Sequence, residues 1–566
     1  MLDIGNESTD ILDAFNAHLQ VSARVETVFY YNPVQLPCWS VELLQRQALH
    51  AAILVWNTVN SINLRFSQSR NMLVLACLPE EPTEAKSLLD LLARHLYHMR
   101  QVKVLVELSS PDGTCGGGSE EYIGSLLKQC FQLSMLNVAL MCGNFIKTLL
   151  YYTYEAYPVF EVQVQGFKPF EEGPLMYPDK QVNMHHHPIY SMPDQAEPYT
   201  IVYDENGRSR VIGLIWYILE EFAQYHNATL RWFETPISGK LPNQVLLGDL
   251  VDNGSLDMSA SATFMGWGRY YGLTYPMTIS SWCIMLPLER HVSVCEALVK
   301  AFQLESYMML LGLYALYVGL PVIVTYLCPN RSWALDNVAI SFYRLIALCL
   351  GIQLVAFYEA RVQSFLIHPL RKNLIATLSD LENSQVRIWG VRSEFYLYED
   401  ELRIKFARVF RLTDQGLELV RMRNTLNTSY GYTITSNKWP LYDALQRGFH
   451  RPIFRYLRSI CVQSLCLFSM LIQENSVYYH KLNHFISKLR QAGFISYWIE
   501  NSFYDMVRGG KMRRQDLSEV HVVVPLTPED IAPVLGVYAM GLLLSMCTFL
   551  LENAAYYACA FVYGHI

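Results

Sequence analysis

Two short runs and the cysteines are the first places to look for chemistry. His185-His186-His187 offers three imidazoles, the commonest metal-binding side chain. Consecutive residues point in different directions, and no Cys, Asp or Glu stands at ligand spacing, so the run is expected to be a solvated linker and no metal site is expected. Gly116-Gly117-Gly118 follows Cys115 and precedes a helical pattern at Ser119. A phosphate cradle needs backbone amides at a helix N-terminus, but this run lacks the Lys-Ser/Thr of a P-loop and the spacing of a dinucleotide fingerprint, and reads as a flexible turn. The 13 cysteines are odd in number and scattered. They show no metal spacing, and no disulfide framework is expected. No Ser/His/Asp, Cys/His or paired-carboxylate arrangement stands out, so neither an enzyme nor a bound cofactor is expected.

The elements that must position any site follow from composition. Of 566 residues, 52% are hydrophobic, 13% aromatic and 17% charged. That is apolar for a soluble protein and polar for a many-helix transporter, and it suits a few spanning helices joined to large water-facing domains. The net charge of −7 points to no nucleic-acid partner. Three apolar segments, 306–327, 339–358 and 531–551, are long enough to cross a hydrocarbon core of ~30 Å.

Residues 1–165 alternate short apolar runs (Asn71–Leu78, Val102–Leu108, Leu136–Met141) with helical patterns (Glu84–Met99, Ser119–Leu133). This predicts a small amino-terminal α/β domain with a largely parallel sheet. Residues 166–197 are rich in Pro, Met and His and read as a linker. From Pro198 come a strand, a turn at Glu205-Asn206-Gly207, an amphipathic helix over Val211–Tyr225, a strand over Leu230–Phe233 and another after Gly254. This is the order of one lobe of a periplasmic-binding-protein-like domain.

Several stretches resemble ionotropic glutamate receptors. Tyr358-Glu-Ala-Arg-Val-Gln-Ser-Phe-Leu366 resembles the SYTANLAAF motif that ends their pore-lining helix, sharing Tyr358, Ala360, Phe365 and Leu366. Asp257 to Arg269, followed by Tyr275-Pro276, resembles the stretch in which the family's arginine grips a ligand carboxylate; the family's Thr falls on Phe264 and its Pro on Ala262. Leu374–Asn383 shares Ile375, Thr377, Asp380 and Leu381 with the start of the second lobe. Tyr430–Ser436 resembles a stretch whose Glu holds the ligand's ammonium, and that position is Thr435 here. Ser393 stands where the family binds the distal carboxylate. Gln491–Trp498 resembles the end of that lobe, and Pro525–Glu552 the outer helix. The family's late disulfide is missing.

The resemblance covers Pro198 to Glu552 and is to divergent insect chemosensory ionotropic receptors. It implies α/β extracellular domains, namely the small amino-terminal α/β domain and a bilobed ligand-binding domain, with a three-helix transmembrane region. It divides the chain into an amino-terminal domain (1–165), a linker (166–197), the first half of the ligand-binding domain (198–305), a spanning helix (306–327), a short pore-loop region (328–338), the pore-lining helix (339–366), the second half (367–530), a last spanning helix (531–551) and a cytoplasmic tail (552–566). The implied protein is a subunit of a ligand-gated cation channel in the plasma membrane of sensory neuron dendrites. It is multi-pass and tetrameric, and it works with co-receptor subunits of the same family.

Arg269, Thr435, Ser393 and Phe264 are the implied ligand-binding residues, and Tyr358, Ala360, Phe365 and Leu366 the gate. An uncharged Thr435 cannot replace a carboxylate against a buried ammonium, so the small external ligand is not glutamate. Arg269 favours an acid, and the aromatics Phe264, Trp267, Tyr270 and Tyr271 favour an apolar body. The short 328–338 interval has no room for a full re-entrant filter; a non-conducting, membrane-anchored binding or accessory subunit is the alternative. Sequons at Asn6, Asn227, Asn253 and Asn427 fit an external location, and Asn330 falls inside. The first residues lack a basic start and an apolar core, so either the chain begins elsewhere or the first spanning helix serves as the targeting signal.

Overall fold

Apolar runs buried on both faces build the first sheet. The computed structural model describes residues 4–23, 25–47, 51–58, 60, 62–109, 115, 119–169, 175–240, 244–266, 272–289, 292, 296, 307–309, 311–312, 315, 319, 333–367, 374–396, 398–518 and 528–563. The order opens α1 (Ile4–Ala23), β1 (Thr27–Tyr31), α2 (Ser40–Gln47), β2 (Ala52–Trp56), β3 (Met72–Pro79), α3 (Pro82–His95), β4 (Lys103–Ser109), α4 (Ser119–Gln132), β5 (Val138–Cys142), α5 (Phe145–Thr148), β6 (Leu150–Glu155), β7 (Glu161–Gly166). The sheet order is β2-β1-β3-β4-β5-β6-β7. β1 to β5 are parallel; β6 and β7 run antiparallel.

Alternate side chains of each strand enter different cores. Val74, Ala76 and Leu78 pack with Leu88 and Leu92 of α3 and Ile123 and Leu127 of α4. Leu73 and Leu75 pack with Leu12, Phe15 and Leu19 of α1 and Leu43 of α2. Helices on both faces of a mostly parallel sheet make a doubly wound domain.

Two disulfides, Cys38–Cys77 and Cys115–Cys142, close the carboxyl edge of this sheet. They overturn the expectation of no disulfide framework. The partners lie 39 and 27 residues apart in sequence, and only the parallel crossovers bring the strand ends together.

The next elements are β8 (Pro188–Ser191), β9 (Ile201–Glu205), β10 (Arg208–Ile212), α6 (Leu214–Tyr225), β11 (Thr229–Trp232), α7 (Gln244–Asp252), β12 (Thr263–Phe264) and β13 (Thr278–Pro287). Asn206 and Gly207 turn the β9–β10 hairpin at φ 54° and 76°, the left-handed pair that a two-residue hairpin requires. β8 pairs parallel with β11. Beyond it, Asp257 N donates to Tyr190 O at 3.1 Å and Ala260 N to Met192 O at 3.0 Å. The first lobe therefore begins inside the stretch expected to be a linker. Its composition hides a four-residue strand whose Ile189 and Ser191 are buried.

α8 (Trp333–Ile367) follows, then α9 (Leu378–Asn383), β14 (Arg387–Val391), α10 (Arg392–Phe395), α11 (Asp400–Lys405), β15 (Phe410–Thr413), α12 (Gly416–Asn424), β16 (Tyr430–Thr435), α13 (Trp439–Gln446), β17 (Phe454–Ser469), α14 (Tyr479–Gln491), α15 (Phe494–Arg508) and α16 (Pro528–Tyr563). The second sheet has the order β12-β17-β13-β16-β14-β15. β17, 16 residues long, runs from the second lobe into the first, where it pairs with β12.

α8 has 35 residues, and its stretch Ser341–Phe365 has mean hydropathy 1.7 with none of it buried within the chain. Among the described residues it is the one helix long and apolar enough to cross a membrane; α16 carries a shorter apolar stretch, Tyr538–Leu551. Most of the expected span 306–327 lies outside the described residues. α8 begins at Trp333, so 333–338 of the expected pore loop is helical. Ala334 and Leu335 favour helix, and the nearest upstream breaker is Pro329.

Candidate functional site

Tyr199 enters the first lobe just before β9 and lies 4% exposed. Its hydroxyl is directed at Thr278, at the start of β13, and at Thr435 and Asn437, at the end of β16. Tyr199 Oη, Thr278 Oγ1, Thr435 Oγ1 and Asn437 Nδ2 are all buried, and none of these atoms closes a hydrogen bond of good geometry. Burial raises the Tyr199 phenol above its ordinary value, against the pull of those neighbours. Four convergent polar groups so placed can donate to, and accept from, one small polar group.

An aromatic row lies beside them. The Tyr199 and Phe468 rings are 6.1 Å apart, and Phe468 and Phe264 6.2 Å. Lys438 Nζ stands 5.4 Å from the Tyr199 ring centroid, within cation–π range. Asp194, 6% exposed, accepts from Thr200 Oγ1, from Ala196 N at 2.9 Å and from Ala262 N at 3.3 Å. Burial nevertheless pushes its carboxyl upward, while its hydrogen bonds and Lys438 pull it down.

A second polar chain lies nearby. Asn424, the last residue of α12, donates to Glu197 Oε2 at 2.7 Å. Lys511 Nζ is 3.8 Å from Glu197 Oε1. Tyr442 donates to Asn424 Oδ1 at 2.6 Å and accepts from Arg423 Nε at 3.0 Å, and Arg423 Nη1 donates to Thr433 O at 3.0 Å.

The expected ligand residues are only partly gathered. Phe264 and Thr435 stand at opposite ends of the row through Phe468 and Tyr199. Ser393 lies in α10, beyond β14, on the far side of the sheet from β12. Arg269, Trp267, Tyr270 and Tyr271 lie outside the described residues. The residues expected to form a gate, Tyr358, Ala360, Phe365 and Leu366, fall in the last three turns of α8; Ala360 is exposed, and Tyr358 and Phe365 are half-buried. Asn6 lies in α1, Asn253 is exposed, and Asn227 and Asn427 are half-buried. Asn227 Nδ2 donates to Asn183 Oδ1 at 2.8 Å.

Sequence reasoning missed Tyr199, Thr278, Asn437, Asp194 and Glu197. Asp194 and Glu197 were lost with the linker assignment, while Glu197-Pro198-Tyr199, an acid and an aromatic flanking a proline at the lobe's edge, was the available signal. The histidine run is a turn tied by its backbone to the start of β11, His186 N donating to Asn227 O at 2.7 Å and His187 O accepting from Thr229 N at 2.9 Å; His185 and His186 have φ 49° and 61°, and His187 Nδ1 faces Pro158 O at 3.1 Å. Among the described residues no group of three or more His, Cys, Asp or Glu side chains is placed to hold a metal ion. A third disulfide, also unexpected, bonds Cys461 of β17 to Cys283 of β13. No protein-family model matches the chain, and no curated protein matches it.

Proposed function

We propose that the protein is a chemosensory subunit of a ligand-gated cation channel that closes a two-lobed domain on a small external chemical other than glutamate. The observation that carries this reading is the insertion of α8 between the two halves of one sheet. The chain leaves the sheet at Pro287 in β13, passes through the apolar helix, and returns by α9 to β14 and β16, which complete the same sheet. A ligand that binds the closed lobes better than the open ones would then pull on both ends of the membrane segment. Three disulfides support an external, oxidising location for the amino-terminal domain and both lobes. The subunit works in a tetramer with co-receptor subunits in the plasma membrane of sensory neuron dendrites.

The start of α8 at Trp333 favours a second reading, a non-conducting membrane-anchored binding or accessory subunit, because it shortens the interval left for a filter. Whole-cell current decides between them. Cells expressing this chain with a permissive co-receptor should carry a ligand-evoked cation current that neither chain gives alone. Surface expression with ligand binding but no current would leave the accessory reading.

A further inference from the structure

β13 and β17 run through both lobes, and the ladder between them is broken in the middle. On the first-lobe side Thr278, Ile279 and Ser280 pair with Phe468, Leu467 and Cys466. On the second-lobe side Ile284, Met285, Leu286 and Pro287 pair with Leu457, Tyr456, Arg455 and Phe454. Between them the register shifts at Ser280/Trp282, Trp282/Cys283 and Cys283/Ile284. Arg458, Ser459 and Ile460 fall between two successive pairings and face no partner on β13. Such bulges unpair the ladder locally and bend the strand.

The hydrophobic cores divide at the same place. Met277 and Trp282 pack in the first-lobe core, whereas Ile284 and Leu286 pack in a core of the second lobe and Met285 in a core built mainly from second-lobe elements that also takes Ile201, Tyr203 and Ile212 of β9 and β10. Along β17, Phe454, Leu457 and Ile460 belong to the second lobe, and Cys466 and Phe468 to the first. Cys283 and Cys461 belong to neither, and they are bonded to each other. Cys283 is 1% exposed. Bulges, core boundary and covalent bond therefore coincide on one point of two crossing strands.

We propose that Cys283–Cys461 is the pivot of the clamshell, a disulfide that reinforces the short stretch of pairing (Trp282 with Gln463, Cys283 with Cys461) left between the register shifts, so that the lobes turn about one fixed point. Without the bond β17 would part more readily from β13 at the bulges, while β13 keeps its unbroken ladder to β16 over Trp282–Met285. The lobes would stay attached elsewhere, because α15 packs on α6 and α14 as well as on α13. Reduction therefore loosens the hinge and leaves the fold standing. The pivot rests on the two-lobed reading and operates whether or not the protein conducts.

Hydrogen–deuterium exchange on the full chain in detergent micelles tests this, read peptide by peptide. With the bond intact, amides over 281–284 and 460–463 should be protected. In a Cys283→Ser/Cys461→Ser variant, exchange there should rise about tenfold or more, while 285–287 with 454–457 and 278–280 with 466–468 change little. Phosphine reduction of the folded wild-type chain should reproduce the rise, which covers a variant that fails to fold. Reduction of the folded variant should add nothing at these amides, which separates this bond from Cys38–Cys77 and Cys115–Cys142. Unchanged exchange at the crossing, or an equal loss of protection through both lobes, would overturn the proposal.

Discussion

Asn424 donates its side-chain amide to Glu197 at 2.7 Å, joining the end of α12 in the second lobe to the segment that opens the first. Lys511 holds the other carboxylate oxygen at 3.8 Å, and Tyr442 fixes Asn424 from behind at 2.6 Å. This is a latch across the cleft whose two halves are each oriented by a further partner. Replacing Asn424 by Ala removes the bridge and leaves the Tyr442 hydroxyl without its acceptor. The folded arrangement should weaken by about 1–3 kcal/mol, the cost of losing a hydrogen bond to a charged group. Thermal unfolding of the purified chain should show a lower midpoint. Asn424→Asp should be worse than Ala, since it sets two carboxylates face to face. A variant as stable as wild type would remove the latch from the closed state.

Glu107 is the second test. It is 2% exposed and accepts from Trp39 N at 2.8 Å and Ser40 N at 2.9 Å. Burial outweighs those amides and pushes its carboxyl up to about 7 from an ordinary 4.5. A carboxyl that binds its proton more tightly when folded contributes stability below its unfolded pKa, and that contribution is lost as pH rises through its folded one. Between pH 5 and 8 the amino-terminal domain should therefore lose up to about 3 kcal/mol from this group. Glu107→Gln should flatten that slope. Exchange protection of β4 at the two pH values reads it, and a slope that survives in the variant sinks the assignment.

Much of the first domain was legible in the sequence, and for a clear reason. β3, β4 and β5 are largely apolar runs buried on both faces, interrupted in β4 by Lys103 and Glu107, and α3 and α4 keep a strict helical period, so the observed elements begin within about two residues of the expected ones, the normal uncertainty of helix and strand ends. β8 was not legible, because four residues in a Pro-, Met- and His-rich stretch carry no period. The disulfides were not, because their partners meet only through tertiary crossovers. The match at Ile375, Thr377, Asp380 and Leu381 has a local cause. Thr377 caps α9, Asp380 bonds back to the Thr377 amide, and Ile375 and Leu381 are buried. Such a capping box can recur at any helix start, which limits what those four residues say about ancestry. The cluster around Tyr199 escaped notice because its four polar members come from three separate stretches of chain.

That cluster gives the third prediction. Tyr199→Phe keeps the ring against Phe468 and removes one of four convergent polar groups. Expression and folding should hold, and the response to the most effective compound in a panel of small organic acids should shift to roughly tenfold higher concentration, the equivalent of one net hydrogen bond. Arg269→Ala should abolish the acid response with surface expression intact. If neither change moves the dose response, the ligand binds elsewhere.

The glycan pattern is the broadest test, because it asks where each half of the sheet resides. β13 and β17 pair directly, so residues on both sides of α8 must share one compartment. Asn253 is exposed beside α7, Asn427 is half-buried after α12, and Asn227 is half-buried with its amide nitrogen engaged by Asn183. In insect cells Asn253 and Asn427 should both carry sugar and Asn330 should stay bare. Asn227 should be modified, and Asn183→Ala should raise its occupancy, since the variant frees the nitrogen that receives the sugar. Between Asn253 and Asn427 the chain must then cross the membrane an even number of times. With α8 as one crossing, the stretch before Trp333 must supply the other. If Asn427 is bare and its segment is protected from external protease while Asn253 is glycosylated, the two halves lie on opposite sides. The shared sheet, and with it the clamshell mechanism, could not then exist in the membrane.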